Sequence, residues 1–358
     1  MQMIINHQVF DGANLRALID EKMRGGEDWE RAIFGFMHDW FSPSADVLMH
    51  TSGSTGVPKA MTFPKTALVA SARATIKFFG LLPGDKVLLC LPGQYVAARL
   101  MVVRAIVGGL DLVMVPPGGN PLAQLTCAID FAAMVPLQVE RAMNETPEKF
   151  SLLRRLIIGG AAVSLSLGRK LAHLDTHVWE TYGMTETLTH VAVRCLTGKD
   201  ASDHFEALPG VHFTLTDADC LVVHVPHVTP QPVVTNDMVA LSDGRYFRLL
   251  GRADDVINSG GIKIHPVKIE FLLAPLIKTP FAITSEPHEL LGEQVVLVVE
   301  SGVQFPCPQT LFADIDKHQR PRKIYMVDAL PQTESGKIRR AFLKACLKQA
   351  RLLWERNA

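Results

Sequence analysis

From Val87 onward, short β-rich runs alternate with longer stretches whose apolar positions recur at helical spacing. Val87 to Leu91, Leu112 to Val115, Leu156 to Ile158 and Val178 to Thr181 are predicted strands. Between and before them, Leu68 to Phe79 carries a helical pattern that stops at Gly80, with Pro83-Gly84 beyond it, and Arg99 to Val107 gives a second helix. This alternation predicts an α/β layer architecture. After Leu208 the pattern changes to short strands punctuated by Gly and Pro, among them Leu221 to Val225 and, past the turn at Asp243-Gly244, Tyr246 to Leu250. These predict a β-rich subdomain. Beyond Arg252 a small α+β pattern begins, with a helix at Pro266 to Leu273, strands at Phe281 to Thr284 and Val295 to Glu300, and a terminal helix from Arg339 onward. A boundary at Ala253-Asp254 therefore divides the chain into a large unit, residues 1–253, and a small one, residues 254–358.

A chain of 358 residues suits such a division, each part being able to bury its own core. With 36 basic against 36 acidic side chains, nothing calls for a polyanionic partner, so nucleic acid is not expected as a ligand. The cysteines, Cys90, Cys127, Cys195, Cys220, Cys307 and Cys346, have no CxxC spacing; neither a zinc site nor a disulfide framework is expected, and they read as reduced thiols of a cytoplasmic protein. Met1 to Asp20 lacks the basic-then-apolar order of a secretory signal. No stretch approaches the roughly 20 uninterrupted apolar residues that span a bilayer, so no stable membrane insertion is expected.

The chemistry is concentrated in a few clusters. Thr51, Ser52, Gly53, Ser54, Thr55 and Gly56 precede Val57-Pro58-Lys59, placing hydroxyls and glycines ahead of an ammonium. Glycines let the backbone approach a polyanion, and hydroxyls, N–H groups and Lys59 can all donate to phosphate oxygens. By composition alone the segment also fits an ordinary flexible loop. It is not a Walker loop, because Pro58 precedes the lysine and Ala60 follows it. A second cluster, Glu180 to Thr187, offers an aromatic ring for a base at Tyr182 and a carboxylate for Mg²⁺ at Glu186; a capped helix start, with Thr185 or Thr187 as the cap, is the plainer alternative. The third, Gly251 to Lys263, combines Arg252, Asp254, Asp255 and the pair Gly260-Gly261 at the proposed boundary, as either a ligand anchor with a pivot or a polar turn. The fourth, Pro331 to Arg340, contains Lys337, which taken alone reads as a solvated surface lysine.

In this order the four clusters resemble the adenylate-forming superfamily of acyl-CoA synthetases, adenylation domains and luciferases, over about Met49 to Lys344. The resemblance implies ATP, Mg²⁺ and coenzyme A as cofactors, a carboxylate as the small-molecule partner, and a mobile C-terminal domain. It also implies residue roles. Thr51 to Lys59 would hold the ATP phosphates, and Gly160 and Ala161, within Ile158 to Ala161, would line the adenine and acyl pocket. The stretch Tyr182 to Thr187, Gly183 included, would hold and stack the adenine, with Thr185 near the α-phosphate and Glu186 on the metal. Asp237 and Arg252 would bind the ribose, Asp254 would be the hinge, Gly261 would let the CoA arm pass, and Lys337 would be the mobile catalytic lysine.

Two departures stand out: the phosphate loop begins only about 50 residues in, so most of the family's amino-terminal subdomain is missing, and Asn236 stands where a Gly usually precedes the ribose-binding aspartate. The missing subdomain motivates a possible homodimer. Such shortened chains resemble the compact o-succinylbenzoate-CoA ligases of menaquinone biosynthesis, through the texture of Leu91 to Arg99 and of Tyr182 to His190. A substrate with two carboxylates needs a partner for the one that does not react, and Arg99, Arg104 and His190 are the candidates. Another aromatic or short-chain acyl-CoA ligase, a carrier-loading adenylation enzyme and a silent scaffold are the alternatives; retention of Lys59, Glu186, Arg252 and Lys337 argues against the scaffold.

Overall fold

The computed structural model describes residues 2–51, 59–277, 279–302, 307–331 and 338–356. Its first part is built on one 13-stranded sheet. The chain enters through β1 (Gln2–Ile5) and β2 (Gln8–Asp11), then runs through helices α1 (Gly12–Gly25) and α2 (Asp28–Phe41). A separate two-stranded hairpin follows, β3 (Asp46–Thr51) against β4 (Lys59–Pro64), in which Thr51 pairs with Lys59. Next come α3 (Lys65–Phe79), β5 (Lys86–Leu89), α4 (Val96–Gly108) and β6 (Asp111–Met114), then β7 (Phe131–Met134), α5 (Pro136–Glu145), β8 (Arg155–Ile158), α6 (Leu165–Leu171) and β9 (His177–Gly183).

Strands β6, β5, β7, β8 and β9 lie side by side and parallel, and β1 joins parallel to β6. Their continuous apolar runs are the mark of strands covered on both faces: every residue of β7 is buried, as are Val87 to Leu89 and Leu156 to Ile158. Helix α3 ends where Gly80 takes φ 58° and donates its N–H back to the last turn, as the Gly80 stop predicts.

From β9 the sheet turns antiparallel, through β10 (His190–Cys195), β11 (Phe205–Ala207), β15 (Tyr246–Arg252), β14 (Val233–Ser242), β13 (Cys220–His224) and β12 (His212–Leu215). The β-rich segment thus continues the same sheet. A second sheet holds β16 (Ile257–Ser259), β17 (Ile262–Ile264), β18 (Phe281–His288), β19 (Gly292–Glu300), β20 (Lys323–Val327) and β21 (Arg351–Glu355), with α7 (Pro266–Leu273), α8 (Pro308–Leu311) and α9 (Arg340–Cys346) around it. One hydrophobic cluster runs from Met3 to Phe247, and another from Ile257 to Ile324.

The terminal helix expected from Arg339 is corrected: α9 stops at Cys346, and the chain returns as β21 antiparallel to β20. That return covers the open edge of β20 and sets Trp354 against Phe312, with ring centroids 5.8 Å apart. The cysteines are all free, and burial pushes the Cys90 thiol up to about 12, which keeps it protonated. No helix among the described residues is long and apolar enough to cross a membrane.

Candidate active site

Strands β8 and β9 run in the same direction, with Ile158 paired to Glu180, so Gly159-Gly160-Ala161 and Tyr182 to Thr187 leave the sheet at the same, carboxyl-terminal edge. Ligands of open parallel sheets bind at that edge. Two glycines there are required by geometry. A Cβ at Gly159 would meet the Thr181 hydroxyl at 2.5 Å, and one at Gly183 would meet the backbone of Thr189 and His190 at 2.5 Å. Gly183 therefore lets the chain fold back on itself into β10. Gly160, at φ 83°, takes the left-handed backbone that a side chain disfavours, and Ala161 beside it is buried.

The returning turn is held by Thr187, fully buried, whose hydroxyl accepts from the Met184 N–H at 3.1 Å. Leu188 follows at φ 63°, a strained position for a branched side chain. Glu186 sits on the 3₁₀ turn Thr185–Thr187 and is exposed, free to meet a cation, while Glu180 is spent inside, accepting from the Val163 N–H at 2.8 Å and from Arg194 at 2.7 Å. Thr185 is placed by its backbone, at the start of that 3₁₀ turn.

Tyr182 is the centre of the arrangement. Its ring is braced edge-on by Phe247 and Phe205, at 5.0 and 5.9 Å, and its hydroxyl donates to Asp237 Oδ2 at 2.5 Å. Burial, reinforced by the adjacent Asp237 carboxylate, pushes the phenol well above its ordinary range, so it remains a donor. Asp237 and Arg252 face each other across β14 and β15, and Arg252 Nη1 donates to Asp237 Oδ1 at 3.3 Å. Arg252 also reaches Asp254 at 3.7 Å, and Asn236 Nδ2 donates to Asp254 Oδ2 at 3.0 Å. Asn236 thus has a local role, tying the strand before Asp237 to the proposed pivot. Sequence order could not reveal it, because the contact depends on how β14 and β15 align.

An aromatic face, a carboxylate and a guanidinium at one sheet edge have the chemistry to suit an adenosine: the ring offers a face for a base, and the Asp237–Arg252 pair offers an acceptor and a donor for a ribose diol. Gly261 has φ 82°, and a Cβ there would meet nothing within 4 Å, so it is the backbone conformation, and not crowding, that favours glycine.

Of the other expected residues, Ser52, Gly53, Ser54, Thr55, Gly56 and Lys337 lie outside the described residues, and Thr51 and Lys59 enter only as the paired backbone ends of the β3–β4 hairpin. Arg99 is committed to carbonyl oxygens, with Nε on Gly93 at 2.8 Å and Nη1 on Leu48 at 2.5 Å. Arg104 and His190 are enclosed, at 2% and 8% exposure. For Arg104 the burial was detectable: α4 is apolar on nearly all sides around it and carries it inside.

Comparison with known proteins places this geometry among relatives. The AMP-binding enzyme family matches residues 34–233. The 2-succinylbenzoate–CoA ligase of Lactococcus lactis is 27% identical over 83% of this chain and 70% of that protein. The structure of an acyl-CoA synthetase (AMP-forming)/AMP-acid ligase II-like protein from Dyadobacter fermentans superposes with TM-score 0.65 at 32% identity, covering 93% of this chain and 97% of that one. The o-succinylbenzoate coenzyme A synthetase of Bacillus subtilis, in complex with ATP and magnesium ion, shares the fold with TM-score 0.64 at 20% identity, over 83% and 69% of the two chains.

Proposed function

The chain belongs to the AMP-binding enzyme family, and from that premise we propose that it is an ATP-dependent o-succinylbenzoate–CoA ligase acting through an acyl-adenylate. The observation that carries the reading is the Tyr182–Asp237–Arg252 constellation at the carboxyl-terminal edge of the sheet, a site for the adenosine of ATP. The substrate is supported by the 2-succinylbenzoate–CoA ligase relatives.

In the first half-reaction the substrate carboxylate attacks the α-phosphorus, forming a C–O–P bond and expelling pyrophosphate. Two anions are brought together, so the work is positioning and charge neutralisation, with no general base. Thr51 to Lys59 would hold the phosphates and Thr185 the α-phosphate region. Mg²⁺ at Glu186 and the Lys337 ammonium would offset the charge. In the second half-reaction the CoA thiol attacks the acyl carbon and AMP leaves. We place the pivot for the change between them at Asp254, with residues 254–358 moving as a unit against 1–253 and Gly261 lining the thiol's path. A cytoplasmic location, indifference to nucleic acid and a homodimer belong to the same reading, the last checked by sedimentation at micromolar concentration.

The test is mass spectrometry of products from purified protein with Mg·ATP and CoA, offering o-succinylbenzoate beside benzoate, short-chain and medium-chain acids. An o-succinylbenzoyl-CoA peak requiring both ATP and CoA, and far above the other acids, is the expected result. Reaction with another acid alone would retain the family chemistry and overturn the substrate. Formation of adenylate that passes only to a carrier protein would overturn CoA as the acceptor.

A further inference from the structure

Away from the adenosine site, three side chains from distant parts of the chain meet: Cys127, His7 and Asp111. His7 Nδ1 lies 2.6 Å from Asp111 Oδ2, and His7 Nε2 lies 3.8 Å from the Cys127 sulfur. Asp111 opens β6 and Cys127 lies in the loop that enters β7, so both stand at the amino-terminal ends of their strands, whereas Tyr182 stands near the carboxyl-terminal end of β9. His7 comes from the two-residue turn between β1 and β2, where Asn6 and His7 take φ 47° and 68°.

The ring is fixed from two sides. The His7 backbone N–H donates to Asp111 Oδ1 at 3.1 Å while Nδ1 meets the other carboxylate oxygen, and Asn6 beside it accepts from the Met114 N–H at 2.8 Å, pinning the turn to β6. An ionised carboxylate only accepts, so in the neutral ring the proton sits on Nδ1 and the Nε2 lone pair is left for the thiol. Nucleophile, base and orienting carboxylate in that order are the arrangement that activates a thiol. A metal is the competing use of Cys, His and Asp, but Asp111 is spent on His7, and no group of three metal-ligating side chains converges among the described residues. The His7 side chain is 49% exposed, which gives a small reagent access to the pair. The other cysteines differ: Cys90 and Cys220 are buried, Cys195 donates to the Thr197 carbonyl at 3.2 Å, and Cys307 meets the Thr310 hydroxyl at 3.3 Å. Among the described residues, Cys127 alone has its sulfur against an imidazole.

We propose that Cys127, His7 and Asp111 form a covalent modification site at which the Cys127 thiol exchanges with the disulfide of a low-molecular-weight thiol. His7 Nε2 takes the thiol proton, and the Cys127 sulfur attacks one sulfur of the disulfide, forming a mixed disulfide and breaking the original S–S bond. The Cys127 sulfur is oxidised, the departing sulfur is reduced to a thiolate, and the proton on His7 passes to that thiolate. Asp111 stabilises the imidazolium in between. The site lies apart from the adenylating residues and holds whether or not the proposed substrate is correct.

The probe is oxidised glutathione, added at neutral pH to the reduced full chain, with the rate at each cysteine followed by peptide mass spectrometry. Cys307 is the reference within the same molecule: it is exposed, and bonds from the Thr310 hydroxyl and N–H hold its thiol below the ordinary value, but it has no imidazole to carry the proton. Cys127 is expected to react ahead of Cys307. A thiol without a base is only a few per cent thiolate at neutral pH, so His7→Asn should slow Cys127 about tenfold relative to Cys307. Asparagine suits the positive φ at position 7, and buried Cys90 staying unmodified checks that the variant is folded. Cys127 reacting no faster than Cys307 in the unaltered chain overturns the proposal without need of a variant. An unchanged ratio of the two rates in His7→Asn overturns it as well, because the thiol would then react without the imidazole.

Discussion

The Asp237 carboxylate serves two donors at once, Tyr182 on one oxygen and Arg252 on the other. A hydrogen bond to a charged group is worth about 1.5–3 kcal/mol, so loss of the carboxylate from a ribose contact corresponds to roughly 10- to 100-fold in affinity. Asp237→Ala is therefore expected to raise the KM for ATP by about that factor with kcat little changed, the pattern of a lost binding contact common to ground and transition states. Tyr182→Phe keeps the ring braced by Phe205 and Phe247 and frees one carboxylate oxygen, so its KM for ATP should move by less than about threefold, at a stability cost of about 1 kcal/mol. Steady-state kinetics with ATP varied, beside chemical denaturation, distinguishes the two; a large KM change in Tyr182→Phe would show that the hydroxyl itself contacts the nucleotide. At this scale the sequence was informative about which side chains matter and uninformative about what holds them. Tyr182 and Arg252 stood in recognisable clusters, while Asp237 was marked by the family resemblance alone. That Asn236 reaches Asp254, and that Gly183 is required by the close pass of His190, depends on contacts that only the folded chain creates.

Among the elements of the second sheet, Glu286 on β18 accepts from Gln294 on β19 at 2.6 Å, from Tyr325 on β20 at 2.8 Å and from Lys323 at 2.9 Å. Burial pushes its carboxyl up, but the bonds from Lys323, Tyr325 and Gln294 outweigh it and hold the group below its ordinary range. A depressed folded-state carboxyl stabilises fully above the unfolded value, near 4.5, and that contribution is lost as pH falls through the folded value. Glu286→Gln should thus narrow the stability difference between pH 7 and pH 4, measured by urea unfolding; an unchanged difference would show that the carboxylate's charge carries no net stability. Arg340, at the start of α9, binds Glu270 on α7 at 2.7 Å, Asp255 at 3.3 Å and the Ile283 carbonyl at 2.8 Å. Removing it leaves two carboxylates facing each other, so Arg340→Met should destabilise by about 3 kcal/mol, with partial recovery in the double variant with Glu270→Gln. Elements with a clear local pattern were legible from sequence: β5 and β8 as apolar runs, β9 as the β-rich stretch Val178 to Thr181, and α3 by its Gly80 stop. β21 was not, because Arg351-Leu-Leu-Trp-Glu has no strand alternation and takes its conformation from pairing with β20.

For the molecule as a whole, the adjacent aspartates at the junction of the two sheets face in different directions. Asp254 bonds to Asn236 and approaches Arg252 on the side of the large sheet, while Asp255 pairs with Arg340 of the second. A rotation between two bodies is cheapest where one residue belongs to each, since the backbone change is then confined to the link between them. If Asp254 is that link, fixing its φ and deleting its N–H with Asp254→Pro should leave the molecule in the adenylating arrangement. Pyrophosphate exchange with ATP and the acid should then persist within about tenfold, while thioester formation from preformed acyl-adenylate falls by about 100-fold or more, a division expected on physical grounds of a gated second step. Lys337→Ala should divide the half-reactions the other way, because an ammonium that offsets charge during attack on phosphorus has no part in thiol attack on carbon. Separate assays of the two half-reactions, run on both variants, give four rates. Opposite losses support one cavity used in two arrangements. Equal losses of both rates in Lys337→Ala would remove its assigned role, and normal CoA-dependent turnover in Asp254→Pro would move the pivot elsewhere along the Arg252-to-Asp255 link.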